Sequence, residues 1–529
     1  MWKGSERKLT PYTRLGTAVN AQDSIRSPGE PIRSVVIVGG GSSGWMTAAA
    51  LTKSFGKLLQ VTLVESEEIG IIGVGESTVP HLRDFNRLLE IDEADFVRRT
   101  KGTFKLGIQF RDWRRLGDSY VHGFGTIGRS LGLLDFHQYW LKARKLGLAK
   151  DIGHYSINTL AAPQGRFLVP PSDAPPNTPL ADIVYAYQFD AGLYARYLRD
   201  YAEGRGARRI EGKIVEVKQN GESGFVESVR LESGATVAGD LFIDCSGFRA
   251  LLIGGTLRSG FQDWTHWLPL DRAIAVPCEK VEPPTPYTRV TAREAGWQWR
   301  IPLQHRTGNG HVYSSRFVSD DEAMAVLLKN LDGKPLADAT KPIRFAAGKR
   351  DKLWDKNVVA IGLAGGFLEP LESTAIFLIQ SGIFRLVQLF PRRDFDQTLE
   401  QTYNAQAQFE YERIRDFLIL HYCATEREDS ELWRYCRSMK IPDSLREYIR
   451  LFADAGRFFR NGTELFAVTS WVQVMLGQGI RPRSYHPAAD WVTDSDLRSF
   501  VESVEKLIAR CVSIMPSHED FIARHCAAV

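Results

Sequence analysis

The chain lacks most of the features that would assign it quickly. Its six cysteines, Cys245, Cys278, Cys423, Cys436, Cys511 and Cys526, are scattered and no two are spaced as CxxC. That excludes a zinc cluster or a dense disulfide framework and fits a reducing cytoplasm. Its eleven histidines include no HExxH or similar spacing, so no metal site is expected. His305 and His311, on either side of a glycine-containing turn, read as surface residues. No apolar run reaches the roughly 18 residues that cross a bilayer, so no membrane partner is expected. Residues 1–32 are mostly polar, have no apolar signal core, and read as a flexible extension. The formal net charge is only +4 and there is no dense basic block, which makes nucleic acid a poor partner. Internal repeats and low-complexity tracts are missing too.

What is present is an ordinary globular composition, 43% hydrophobic and 25% charged over 529 residues, enough for two or more units around a large interior. SVVIVGGG from Ser34 is a short β-branched run ending in glycines, as a buried parallel strand entering a tight turn would be. SSGWMTAAALTKSF follows with helical spacing, and LQVTLVES is a second buried strand ending at Glu65. This order predicts a doubly wound, Rossmann-like α/β start. TFKLGIQF, ARRIEGKIVEVKQN, ESVRLESG, DLFIDCSG, GWQWRIPL and NVVAIG read as further strands. From about residue 370 long helical stretches take over. The expected division is an α/β module over 33–395 with substrate-pocket insertions and a helical substrate or cap module over 396–529.

Gly39, Gly41 and Gly44 form G-x-G-x-x-G between the first strand and helix. Glycines there permit a tight turn and close approach of a pyrophosphate to the positive end of the helix. Glu65, 26 residues after Gly39, is placed to accept from an adenosine ribose hydroxyl. A second strand-to-loop edge, NVVAIGLAGGFLEPLEST, carries Gly362, Gly365 and Gly366 before a helix expected to start near Ser373 or Thr374. A third ends at Asp244, Ser246 and Gly247. Three such edges suit an extended FAD better than NAD, although glycines also commonly just end strands.

Several segments together resemble the flavin-dependent tryptophan halogenase family. They are GGGSSGW (Gly39 to Trp45), GVGESTVPHL (Gly73 to Leu82), GTFKLGIQF, VHGFG, WQWRIP (Trp297 to Pro302) and FLEPLEST. The likeness runs from about residue 33 to residue 400 and implies a FAD-binding module of the flavin-monooxygenase type. It places an active-site lysine on Lys105 and a catalytic glutamate on Glu372. His122 and Phe124 fall in an aromatic pocket, and Trp297, Trp299, Ile301 and Pro302 on the signature W-x-W-x-I-P. Halide-binding positions fall on Thr374 and Ala375, and flavin contacts extend to Trp45 and Leu368. The implied reaction uses reduced FAD from a separate reductase, reaching the enzyme by diffusion, with O2 and chloride or bromide. A flavin hydroperoxide oxidises the halide to hypohalous acid, which travels to a separate pocket and halogenates an indole or similar electron-rich aromatic through Lys105 and Glu372. A homodimer is an assembly open to such a chain.

Taken residue by residue, these roles compete with plainer ones. Alternation in TFKLGIQF puts Phe104, Leu106, Ile108 and Phe110 on one face and Lys105, Gly107 and Gln109 on the other, where a lysine is ordinarily solvated. An amine with a pKa of about 10.4 is a cation able to donate to hypohalous oxygen, and burial would favour a haloamine instead. Glu372, just before a helix, could be an ordinary first-turn acid or a base for the ring proton. Trp297 and Trp299, two apart on one strand face, could be core aromatics that also fill the space between flavin and substrate. The stretch from Ala453 to Pro487 offers Trp471 as a pocket aromatic but shows no grip for an amine and carboxylate, so indoles other than free tryptophan are expected. The alternatives are an FAD-dependent aromatic hydroxylase, an NAD-dependent dehydrogenase and a silent flavin-binding scaffold.

Overall fold

The computed structural model describes residues 29–67 and 75–528. Residues 1–28, most of the expected extension, and Gly73–Val74 of the GVGESTVPHL segment lie outside the described residues. Gly29–Ile32 run against the segment 392–394: Pro31 bridges Arg392, and Gly29 N donates to Asp394.

β1 (Ser34–Val38) is the buried start that its Val/Ile run predicts, flanked in a six-stranded sheet by β2 (Gln60–Glu65) and the strand Leu241–Asp244. Both pairings are parallel, as are those of Arg208–Glu211 beside β2 and of Val358–Ala360 beside Leu241–Asp244. Helix α1 (Ser42–Phe55) follows β1, and its alanine-rich face is fully buried. Parallel strands with helical crossovers make the doubly wound module, and its strand ends converge on the glycine turns.

A second, seven-stranded sheet is ordered Ile343–Arg344, Arg272–Cys278, Thr307–Tyr313, Gly296–Pro302, Thr288–Arg293 and then two strands from the earlier sequence. Those two come from the TFKLGIQF and VHGFG regions. TFKLGIQF is not one strand. Four short strands meet here: β3 (Gly75–Ser77), β4 (Thr103–Lys105), β5 (Gly107–Arg111) and β6 (Ser119–Gly123). β4 pairs with β7 (Ala186–Asp190), which also pairs with β3, whereas β5 joins the seven-stranded sheet beside Thr288–Arg293 and β6. The break falls at Leu106, whose N–H donates to Pro286 and whose carbonyl accepts from Phe124. A Cβ on Gly107 would stand 2.4 Å from the His122 carbonyl oxygen, so the missing side chain is what lets β6 close on this point. As a result Lys105 has no polar, solvated face.

ARRIEGKIVEVKQN divides likewise at Gly212 into Arg208–Glu211 and Ile214–Gln219, in different sheets. His311 corrects another expectation. It is buried in the middle of Thr307–Tyr313, with Nδ1 3.1 Å from the Ala323 carbonyl oxygen, because both neighbouring strands and the helix Asp320–Lys329 cover that edge. His305 is exposed as expected.

From Ala375 onward the regular structure is helical, including Ala375–Gln388, Gln397–Cys423, Val468–Gly477 and Asp494–Ile514. One contiguous apolar cluster contains buried residues from Ile32 to Cys526. The helical part thus shares its core with the sheets and faces β5 and β6 across aromatic rings.

Candidate active site

The glycine turn after β1 opens onto a cleft of about 710 Å3 lined by Gly39, Gly41, Trp45, Glu65, Gly362, Gly366, Leu368 and Ala375. Each glycine of the fingerprint serves a different contact. Gly39 has φ +112° and packs on the Cys245 carbonyl, where a Cβ would stand 2.3 Å from oxygen. Gly44 lies under the turn, with room for no Cβ against the Gly39 carbonyl, and a Cβ on Gly41 would meet nothing within 4 Å. That open face at the start of a 14-residue helix fits a pyrophosphate, with the first-turn amides directed at it. Glu65 folds over Gly40 and pairs with Arg209 at the cleft wall. Gly362 abuts Ser43 of α1, so the second loop closes on the first. Gly44 and Gly365 support this cleft without lining it.

A second group of residues, behind the cleft, consists almost wholly of buried side chains. Lys105, with no exposed surface, donates through Nζ to the Thr78 carbonyl at 2.9 Å and to Ser373 Oγ at 2.8 Å, and lies 5.3 Å from the centre of the Phe124 ring. Burial pulls its amine down to about 7, with the Glu372 carboxylate opposing that fall. Ser373 is left-handed at φ +60°, a conformation that costs a non-glycine residue of order 1 kcal/mol. It turns the chain so that residues 372 and 373 present a carboxylate and a hydroxyl toward Lys105.

Glu372 is 1% exposed. His122 Nδ1 stands 3.0 and 2.9 Å from its two carboxylate oxygens. His421 Nε2 lies 2.9 Å from Oε1, off the line of a hydrogen bond. Burial alone would raise this carboxyl, but the charges of His122 and His421 and the His122 hydrogen bond outweigh it and hold it at about 2. A carboxylate beside a buried amine that titrates near neutrality is a matched base and acid. The helix expected near Ser373 or Thr374 begins at Ala375, with Thr374 at its cap. Thr374 is fully buried and its Oγ1 has no partner. Ala375 and Ile376 line the glycine-turn cleft, so three residues of chain lead from Glu372 to that cleft.

His122 and Phe124 are in this group, but His122 is committed to Glu372 and Phe124 packs by Lys105. The ring neighbours of His122 come from the helical part. Phe417 lies 5.7 Å and Phe466 6.4 Å from His122, and these two stack on each other at 3.8 Å. Trp471 meets Phe417 at 4.8 Å and stacks on Phe458 at 4.9 Å. Trp297 donates through Nε1 to Glu369 Oε2 at 2.7 Å, while Trp299 lies flat over Gly310 of the next strand. Ile301 packs near Gly75, and the Pro302 carbonyl accepts from Thr103 at 2.7 Å.

Sequence reasoning missed His421, Thr78, Glu369 and Glu464. His421 had one faint signal, an imidazole inside the apolar helical run FLILHYC. Glu464 is 5% exposed, accepts from Tyr448 Oη and Asn461 N, and keeps Oε2 without a partner; the Tyr448 ring lies 5.2 Å from Trp471.

Comparison with known proteins gives one consistent family. The flavin-dependent halogenase Xcc4156 from Xanthomonas campestris has 50% sequence identity, with a TM-score of 0.91 over 94% of this chain and 99% of that one. BrvH, a flavin-dependent halogenase from Brevundimonas sp. BAL3, has 46% identity and a TM-score of 0.89 over 93% and 99%. Tryptophan 6-halogenase SttH from Streptomyces toxytricini is 36% identical over 78% of this chain and 83% of its own. The family model for tryptophan halogenase matches residues 34–494. The chain therefore belongs to the tryptophan halogenase family and is a flavin-dependent halogenase.

Proposed function

We propose that the enzyme halogenates an indole or similar electron-rich ring through Lys105 and Glu372, using bromide or chloride, O2 and FADH2 delivered by a separate flavin reductase. The observation that carries this reading is the sharing of one turn: Lys105 Nζ is bonded to Ser373 Oγ, next to Glu372, and both reactive side chains are buried.

FAD, when bound, supplies the redox chemistry that oxidises the halide. This chain's own residues bind, hold and separate. Gly39, Gly41 and Gly44 with the start of α1 take the pyrophosphate, and Glu65 takes the ribose. Trp45, Gly362, Gly365, Gly366 and Leu368 form or support the opposite wall. Thr374 and Ala375 offer backbone N–H groups to the halide at a helix start, which needs no basic side chain. Away from the cleft, Lys105 donates a proton to the oxygen of hypohalous acid as the oxygen–halogen bond breaks. The halogen bonds to the ring carbon, water leaves, and Glu372 takes the proton the carbon gives up. His122 and His421 keep Glu372 ionised for that step. Residues 33–395 form the flavin module. Residues 396–529 contribute His421 and, in Phe417, Phe466 and Trp471, a flat wall for a planar substrate. The six unpaired thiols suit the cytoplasm.

The test is turnover of the purified protein with a flavin reductase, bromide or chloride, and a panel of indoles, read by mass spectrometry. Halogenated product is expected, with indole accepted at least as well as free tryptophan; halide-independent hydroxylation would overturn the reading. A second reading, a substrate carrying an ammonium group, is favoured by the free oxygen of Glu464. It requires Glu464→Gln to raise KM for tryptophan but not for indole.

A further inference from the structure

The geometry points to Glu369 as a positioning residue that fixes the turn carrying Glu372, held in place by the indole N–H of Trp297. This rests on the reading of Glu372 as the group that takes the ring proton.

Glu369 is 1% exposed and receives two hydrogen bonds on one oxygen, from Trp297 Nε1 at 2.7 Å and Tyr422 Oη at 2.6 Å; Oε1 has no partner. Both donors are neutral. Burial pushes the carboxyl up to about 7. A buried acid without a cation costs free energy that an apolar residue of similar size would not, so packing alone does not account for it.

Its place in the chain does. Glu369 caps the single 3-10 turn Pro370–Glu372, so it stands at one end of the turn and Glu372 at the other. Consecutive residues of the helix Gln397–Cys423 meet the two ends: Tyr422 bonds Glu369 and His421 touches Glu372. One sheet meets the same two ends, with Trp297 of Gly296–Pro302 on Glu369 and His122 of β6 on Glu372. The turn is thus held by a helix and a sheet at two points. A shift at the Glu369 end would carry Glu372 away from its imidazoles, and misplacing a reacting group by about 1 Å can cost on the order of 100-fold in rate. The first tryptophan of W-x-W-x-I-P then acts through its N–H as well as its bulk.

The experiment compares Glu369→Leu, Glu369→Gln, Trp297→Phe and Glu372→Gln in the full chain, supplied with a flavin reductase and bromide. Trp297→Phe keeps an aromatic ring and removes the donor. Glu369→Gln keeps an oxygen that can accept both bonds. We expect Glu369→Leu and Trp297→Phe to lower kcat by about 100-fold with KM and flavin affinity little changed. Glu369→Gln should retain most of the activity. The acidic limb of the kcat profile should also move up in the two damaged variants. Glu372 is faced by His122 and His421, with Lys105 and Tyr120 within electrostatic reach, and without the imidazoles its burial would raise the carboxyl. Parent-like kcat and pH profile in Trp297→Phe and in any folded Glu369→Leu would overturn the inference. So would Glu369→Gln being as damaged as Glu369→Leu, which would indicate a proton-handling role instead. If Glu372→Gln itself leaves halogenation intact, the reading of Glu372 fails first and is recognised separately.

Discussion

The cleft proposed for flavin and the Lys105–Glu372 cluster lie three residues apart along the chain and are built on opposite plans. The cleft is open, about 710 Å3, and its fingerprint works through missing side chains: the empty face of Gly41 and the close approaches at Gly39 and Gly44. The cluster works through buried side chains that hold one another, with Lys105 on Thr78 and Ser373 and Glu372 on His122. A loosely lined cleft suits a carrier that must enter reduced and leave oxidised. A closed, preorganised pair suits a step in which charge develops and water must be kept out.

The comparison can be broken most sharply at Lys105. Lys105→Ala should still consume reduced flavin but lose halogenated product by about 10^3-fold, in the middle of the range one acid contributes; parallel loss of flavin oxidation would show that the two sites are not separate. Glu372→Gln should lower kcat by about 100-fold or more with flavin affinity unchanged, read in steady-state assays and by flavin titration. Gly41→Val should do the reverse, weakening flavin binding by at least about tenfold, or 1.4 kcal/mol, without lowering the melting temperature of the flavin-free protein.

The smallest effect is on stability. The Lys105 amine is pulled down to about 7 in the fold, against about 10.4 unfolded. Its cost is therefore complete below pH 7 and fades as pH rises toward 10.4. Lys105→Met should stabilise the protein below pH 7, on the order of 2 kcal/mol after the bonds to Thr78 and Ser373 are lost. The gain should shrink with rising pH in denaturant titrations.

The two regions were also unequally legible. The cleft follows from one contiguous stretch, since β1, the glycine turn, α1 and Glu65 are local and each has its own signal. The C-terminal helices were plain from their periodicity. Nothing local marked Lys105, which only the family likeness singled out, and alternation through TFKLGIQF pointed to a solvated face because it cannot register a strand break imposed by β6 closing on Gly107. His122 meets Glu372 across 250 residues of sequence, and Tyr422 meets Glu369 across 53. Pairings of that span are set by the packing of a helix on a sheet, which residue spacing does not encode. The same holds for His311, which is buried by strands on both sides.

The stacked rings of Phe417 and Phe466, with Trp471 behind them, belong to a stretch of chain that follows both the glycine-lined cleft and the Glu372 turn. On the proposed reading, exchanging those rings would alter the angle at which a flat acceptor lies without rebuilding the turn that holds Glu372. Which carbon is hit, and on which molecule, can thus drift over generations while the reagent and its delivery stay the same.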